Sequence, residues 1–122
     1  MTKKMSMKEK GSCGEKIASV FLVNNGYKIV ENNFWTRISE IDIIAVQGRS
    51  LVFFEVKTWD VLKVDSLEYA VGVQKRKKII SASKYFVKKR PEFIEYNIRY
   101  DVIIISLKSG SLNHMINAFQ EG

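Results

Sequence analysis

Asp42, Glu55 and Lys57 have the side-chain types and the spacing for cation-assisted phosphodiester hydrolysis. They lie in the stretch Glu40-Ile-Asp-Ile-Ile-Ala-Val-Gln-Gly-Arg-Ser-Leu-Val-Phe-Phe-Glu-Val-Lys-Thr58, where two apolar-rich runs flank Gln47-Gly48-Arg49-Ser50. Glycine at the first central position predicts a hairpin closed by a two-residue type II′ turn. With Gly48 and Arg49 as the turn, Gln47 faces Ser50; counting outward, Asp42 faces Glu55 and Glu40 faces Lys57. Facing residues project to one side of a sheet with Cβ atoms about 4.5–5.5 Å apart. Two like charges about 5 Å apart repel by roughly 3 kcal/mol at an effective dielectric near 20. A divalent cation turns that repulsion into ligation, because hard cations take carboxylate oxygens. On this reading Asp42 and Glu55 bind Mg²⁺, with Mn²⁺ as a substitute, and the Val56 carbonyl offers a further oxygen. Lys57, on the same face as Glu55, orients a water or stabilises developing charge. The competing reading is charge pairing across the strands, Lys57 with Glu40 and Glu55 with a lysine elsewhere.

The surrounding pattern says which elements hold these residues. Ile17, Ala18, Phe21 and Leu22 recur at helical spacing and predict a helix over 12–25, with Ser12 as N-cap, Glu15 in capping-box register and Asn25-Gly26 as the stop. Residues 27–34 read as a first strand, and the hairpin of 40–58 supplies the next two. One hairpin face carries Ile41, Ile43, Ala45, Val52, Phe54 and Val56; the other carries Ile44, Val46, Leu51 and Phe53 beside the acids. Strands apolar on both faces belong to the covered middle of a sheet. Residues 59–71 read as a loop, 72–90 as a second helix ended by Pro91, 98–107 and 112–119 as strands around a turn at 108–110. The second helix turns Val73, Ile79, Ile80, Phe86 and Val87 inward. The order α-β-β-β-α-β-β predicts an α/β sandwich around a mixed sheet.

The chain has 122 residues, 46% hydrophobic, enough for one domain with a real core. No apolar run is long enough to span a bilayer, and the basic residues 1–10 are not followed by a signal-peptide core; they read as a flexible arm. A single cysteine, Cys13, allows no internal disulfide and fits a reducing cytoplasm. With one Cys and one His, the chain cannot build a Cys/His zinc site, and a Ser-His-Asp triad would depend on His114 alone. His114 reads as a surface strand residue, and Asp101 as a partner for a basic side chain. A net charge of +7 is the signature of a polyanion partner, most often nucleic acid. Charge alone separates neither DNA from RNA nor either from an anionic membrane surface; with the resemblance given below, the expected partner is nucleic acid, DNA ahead of RNA, and no membrane. Lys75, Arg76, Lys77 and Lys78, followed by Lys84, Lys88, Lys89 and Arg90, make the second helix basic. That is either a solvated face or a surface tracking phosphates beside the site, with Lys75 reaching the site's mouth. Trp35, Trp59 and Tyr69 either stack on unpaired bases or pack at the core's rim.

Gly14-Glu15, Gly26-Tyr27, Asn32, Ser39-Glu-Ile-Asp-Ile-Ile-Ala45, Leu51-Val-Phe-Phe-Glu-Val-Lys-Thr58, Arg99-Tyr-Asp-Val102 and Asn117-Ala-Phe119 together resemble the YraN-like family of bacterial proteins. That family is similar in turn to Holliday-junction resolvases and to nucleases of the PD-(D/E)XK superfamily. The resemblance implies a restriction-endonuclease-like fold with Asp42, Glu55 and Lys57 at the acidic, acidic and lysine positions of the motif. Glu15 stands where resolvase-like members carry an additional acid. A homodimer is also implied, since resolvase-like relatives act as dimers. Three positions depart from the patterns: Ile41 replaces the proline of the superfamily's name, Ser39 a usual glycine and Trp59 a usual arginine. The arginine's loss removes a phosphate contact and leaves the metal ligands untouched.

The sequence therefore predicts an N-terminal arm over 1–10 and one restriction-endonuclease-like α/β domain over 11–122. The expected activity is Mg²⁺-dependent endonucleolytic hydrolysis of DNA, branched or otherwise structured, by Asp42, Glu55, Lys57 and Glu15. The alternative is a nucleic-acid-binding or assembly module that keeps the fold and does not cleave.

Overall fold

The computed structural model describes residues 4–59 and 71–122. The first helix, α1 (Met7–Asn24), begins where Ser6 and Glu9 close a capping box: Ser6 Oγ accepts the Glu9 N–H at 3.1 Å, and the Glu9 carboxylate accepts the Ser6 N–H at 2.9 Å. The start predicted at Ser12 is thus too late, because two Ser-x-x-Glu boxes stand six residues apart and the upstream one caps. Met7–Lys10, within the segment expected to be an arm, is already helical. Glu15 is left free for a different partner.

Strands β1 (Lys28–Trp35), β2 (Glu40–Gln47) and β3 (Ser50–Trp59) follow. Helix α2 (Val73–Lys89) and a 3₁₀ turn at Pro91–Phe93 lead to β4 (Asn97–Ser106) and β5 (Leu112–Phe119). The loop predicted at 59–71 starts too early, because Trp59 is the last residue of β3; residues 60–70, with Tyr69, fall outside the described residues. The five strands form one sheet in the order β1-β2-β3-β4-β5. Only β3 and β4 pair in parallel; β1–β2, β2–β3 and β4–β5 are antiparallel. This mixed sheet with helices on both faces is the predicted α/β restriction-endonuclease-like architecture. The turn works as the glycine required: Gly48 has φ 58° and Arg49 stays out of the left-handed region, as a type II′ turn demands. Pairing runs from Gln47–Ser50 to Ile43–Phe54 in the predicted register.

The central strands are apolar on both sides because both sides are covered. Ile43, Val52, Phe54 and Val56 pack with Ala18 and Leu22 of α1. Ile44, Leu51 and Phe53 pack with Ile79 and Phe86 of α2 and with Tyr100. Each such fully buried side chain is worth about 1.5–3 kcal/mol over exposure. Ile17 and Val73, expected to face inward, are 39% and 57% exposed and lie off their helices' buried stripes. Ile41 also departs from expectation: it joins the α2-side cluster although Ile43 faces α1. Strict alternation would put both on one face. The break falls at Asp42. Among the described residues no helix is long and apolar enough to cross a membrane.

Candidate active site

The β2–β3 ladder ends at Ile43–Phe54. In the same register the next hydrogen-bonded pair would join Val56 to Ile41, but Ile41 turns toward α2 with Phe34, its neighbour on β1. The Val56 N–H is instead taken by the Asp42 carboxylate, Oδ2 accepting it at 2.8 Å. The Val56 carbonyl leaves β3 on the same edge as its N–H, toward the gap where β2 departs. Glu55, beside it, is 5% exposed and Asp42 8%. The predicted meeting of Asp42 and Glu55 is present, but it is made where β2 leaves the ladder, since the paired register ends one position short of them.

The electrostatics follow from that burial. Desolvation first, and then the Glu55 charge, push the Asp42 carboxyl up to about 9 against the pull of the Val56 N–H. A hydrogen bond between the two carboxyls and the charge of Glu15 act in the same upward direction. Burial and the neighbouring carboxylate thus favour the protonated form of Asp42. Lys57 does not meet Glu40; its Nζ lies 3.3 Å from Glu55 Oε2, with the lysine side chain 36% exposed. Among the described residues Lys57 is the cation paired with these acids, through Glu55.

Glu15 reaches the site through a residue the sequence did not single out. Asn33 Nδ2 donates to Glu15 Oε1 at 2.9 Å and to Glu40 Oε2 at 3.0 Å. Asn33 adopts φ 52°, a left-handed conformation that asparagine tolerates better than most residues. Its neighbour Asn32 also faces α1, accepting from Ser19 at 3.4 Å, so two successive residues turn to the same helix. The only signal available was Asn-Asn near a strand's end, which marks irregularity without giving its direction. The helix is brought close by Gly14, where a Cβ would lie 1.9 Å from Thr58 Oγ1.

A divalent cation suits this donor set. Among the described residues no group of three or more His, Cys, Asp and Glu side chains is disposed to hold a metal ion. Mg²⁺ asks for less, because it keeps several waters and binds through one or two carboxylates. Asp42, Glu55 and the Val56 carbonyl are oxygen donors of the right hardness.

Among the described residues, the basic residues at the start of α2 make no ion pair with Asp42, Glu55 or Glu15. Arg76 Nε donates to the Val71 carbonyl at 2.9 Å, tying down the helix start. Lys77 and Lys78 are exposed and Lys75 half-buried, and none of the three has an ion pair among the described residues. Arg76 and Lys77 border a groove shared with Gln120 and Glu121. His114 is not the expected surface residue. Its Nε2 lies 2.7 Å from the fully buried Asp101, which also takes the Arg99 guanidinium at 2.9 Å and the Asn117 N–H at 2.9 Å. Burial pushes the Asp101 carboxyl up, but those hydrogen bonds outweigh it and hold it below the usual aspartate value. Of the aromatics, Trp59 packs at the core's rim and Trp35 is 70% exposed.

A family model described as uncharacterised protein family UPF0102 matches residues 14–105. The chain is 41% identical over 115 residues to a UPF0102 protein of Clostridioides difficile, spanning 94% of this chain and 100% of that one. It is 38% identical over 122 residues to one of Caldanaerobacter subterraneus, spanning 96% and 99%. The chain belongs to the UPF0102 family. This is the YraN-like family that its motifs resemble. The family match begins at Gly14, which lies against Thr58 of β3, and takes in Glu15, Asn33, Asp42, Glu55 and Lys57. It also covers Arg99 and Asp101 of the buried ion network.

Proposed function

We propose that this UPF0102 chain is a Mg²⁺-dependent endonuclease acting on DNA, branched or otherwise structured. One observation carries the reading: Asp42 and Glu55 bring two buried carboxyls together at the end of an apolar sheet, where burial and mutual repulsion oppose the ionisation of Asp42. A fold gains nothing from such a pair by itself, and a divalent cation displacing the proton relieves it. Asp42 and Glu55 would hold Mg²⁺ or Mn²⁺, and the Val56 carbonyl would offer another oxygen. The bound ion would supply Lewis acidity toward a water and toward the phosphate. Lys57 spends one donor on Glu55 and keeps two for a phosphate oxygen or the attacking water. Asn33 holds Glu15 and Glu40 in place, so Glu15 supports the pair through its charge.

The test is a panel of single-stranded, duplex, flapped and four-way-junction DNA incubated with Mg²⁺ or Mn²⁺. Cleavage by the parent and none by Asp42→Ala is expected; equal cleavage by both would trace the activity to a contaminant. A second reading has its own support. Asp42 already serves the backbone by capping the Val56 N–H, as a purely structural acid would. On that reading the protein is a nucleic-acid-binding or assembly module, and no substrate in the panel is cut.

A further inference from the structure

We propose that Trp35, Ile38 and Tyr85 form a stacking platform for unpaired bases of a DNA strand that continues into the acidic site. The proposal deepens the nuclease reading, and rests on it for its consequence, by naming the substrate class: DNA with a single-stranded portion. A groove of about 490 Å³ runs between the β1–β2 turn and α2, bordered by Trp35, Arg37, Ile38, Ala82 and Tyr85. Its three large apolar side chains are open to solvent: Trp35 is 70% exposed, Ile38 57% and Tyr85 47%. They sit together, not scattered, and such a patch marks a binding surface.

The platform is rigid before anything binds. Thr36 Oγ1 accepts the N–H groups of Ile38 and Ser39 at 3.1 and 2.9 Å and donates to the Ser39 carbonyl at 2.8 Å. Tyr85 is braced by the Phe34 ring, 6.3 Å away between centroids. Cations flank the aromatic surface: Arg37 is exposed without an ion pair among the described residues, and Lys89 Nζ lies 5.3 Å from the Tyr85 ring centre. Exposed π-faces interleaved with cations are what single-stranded nucleic acid needs, stacking for bases and charge for phosphates. In a duplex those base faces are already covered by their neighbours.

The location ties the surface to the site. Trp35 pairs with Glu40, two residues before Asp42 on β2. Two residues of strand advance only about 7 Å, so the platform and the acids lie along one short path. A strand lying on the platform therefore carries a phosphate onward to Asp42 and Glu55. Charge selects this occupant over a second copy of the chain. Each copy carries +7 and would set Arg37 and Lys89 against their own images, whereas a polyanion meets them with opposite sign.

The test uses the full chain with Trp59→Phe, which leaves Trp35 as the fluorescent reporter, since the chain has two tryptophans. It is titrated in EDTA with oligodeoxythymidylate and with a blunt duplex of equal length. Single strand is expected to quench Trp35. In the Trp59-containing parent, Trp35→Ala and Tyr85→Ala should weaken single-strand binding about tenfold or more and leave duplex binding nearly unchanged. Trp35→Phe should restore most of the loss, which a merely misfolded variant would not. The platform is overturned if Trp35→Ala binds single strand like the parent, if both DNAs lose equally, or if light scattering shows Trp35→Ala breaking a dimer. Because no cation is present and no cleavage is read, this readout does not depend on the acidic site. Single-strand binding through Trp35 without cleavage of any substrate would therefore sink the nuclease reading alone, and the converse would sink the platform alone.

Discussion

Asp42 serves two demands that separate cleanly under substitution. Its oxygen caps the Val56 N–H, and its ionisation is opposed by burial and by Glu55. Asn keeps an acceptor for the first and removes the second; Ala removes both. The carboxyl's folded value of about 9 lies above the ordinary 3.8, so the folded chain holds a proton that the unfolded chain releases. That contribution to stability is complete below the unfolded value and is lost as pH rises toward 9. Urea unfolding across that interval should show the parent weakening with pH and Asp42→Asn doing so less, with the variant at least as stable at neutral pH. Asp42→Ala should fall about 1–3 kcal/mol below Asp42→Asn, the cost of an unpaired buried N–H. A loss of several kcal/mol in Asp42→Asn would instead make the carboxylate structural. Asp101 has the opposite sign. Its value is depressed, so its stabilisation is present above the ordinary aspartate range and lost as pH falls through the folded value. Asp101→Ala strips Arg99, His114 and the Asn117 N–H of one shared partner and should cost about 3–5 kcal/mol in denaturant titration. Asp42 and Glu55 were legible because a glycine turn fixes register by counting. The burial of His114 was not, since it depends on Asp101 across the β4–β5 ladder and on Phe21 of α1.

Elements show the same division between local and non-local information. The β2–β3 register came from a turn within one short stretch, and the strand and second-helix bounds from hydrophobic period. The start of α1 did not, because Ser6-x-x-Glu9 and Ser12-x-x-Glu15 are locally equivalent; the difference lies in where Glu15 goes after the helix docks. The close docking of α1 on β3 was likewise hidden in two unremarkable glycines. Gly14 touches Thr58, while nothing lies within 4 Å of the Cβ position at Gly11. Gly11→Ala should therefore stabilise the protein by about 0.5–1 kcal/mol through helix propensity. Gly14→Ala, three residues along the same helix, should destabilise it by about 1–3 kcal/mol through overpacking against a buried strand. Thermal denaturation of the two variants makes the comparison. Thr58→Ala added to Gly14→Ala should recover part of the loss, because the two positions share one contact. If both alanines stabilise, α1 is not seated on β3 as described. Gly14→Ala should also lower cleavage more than its stability loss explains, since it moves Glu15 off Asn33.

At the scale of the molecule, charge and site are distributed over different elements. The acids come from α1, β2 and β3, while Lys75, Lys77 and Lys78 belong to α2 and pair with none of them. Net charge implies the sign that a partner would carry without saying which face would meet it, because charge patterning along a helix is the same for a solvated face and a phosphate-tracking one. Separation of the two sets makes the readings distinguishable. Each lysine that neutralises a phosphate releases counterions, so log affinity falls against log salt with a slope near −0.9 per contact for duplex DNA. Replacing Lys75, Lys77 and Lys78 together by Ala should therefore weaken DNA binding at low salt and flatten that slope by roughly three. The effect should be alike across DNA sequences, since phosphate contacts carry no sequence information. Arg76 is left in place because it ties down the start of α2, and its loss would mix folding with binding. Cleavage at saturating DNA should persist in the triple variant, because the acids and Lys57 are untouched. Asp42→Asn should show the reverse, keeping affinity and salt slope and losing cleavage. A triple variant with the parent's affinity and slope would identify the α2 lysines as a solvated face, and would place the phosphate contacts on Arg37, Lys89 and the platform beside them.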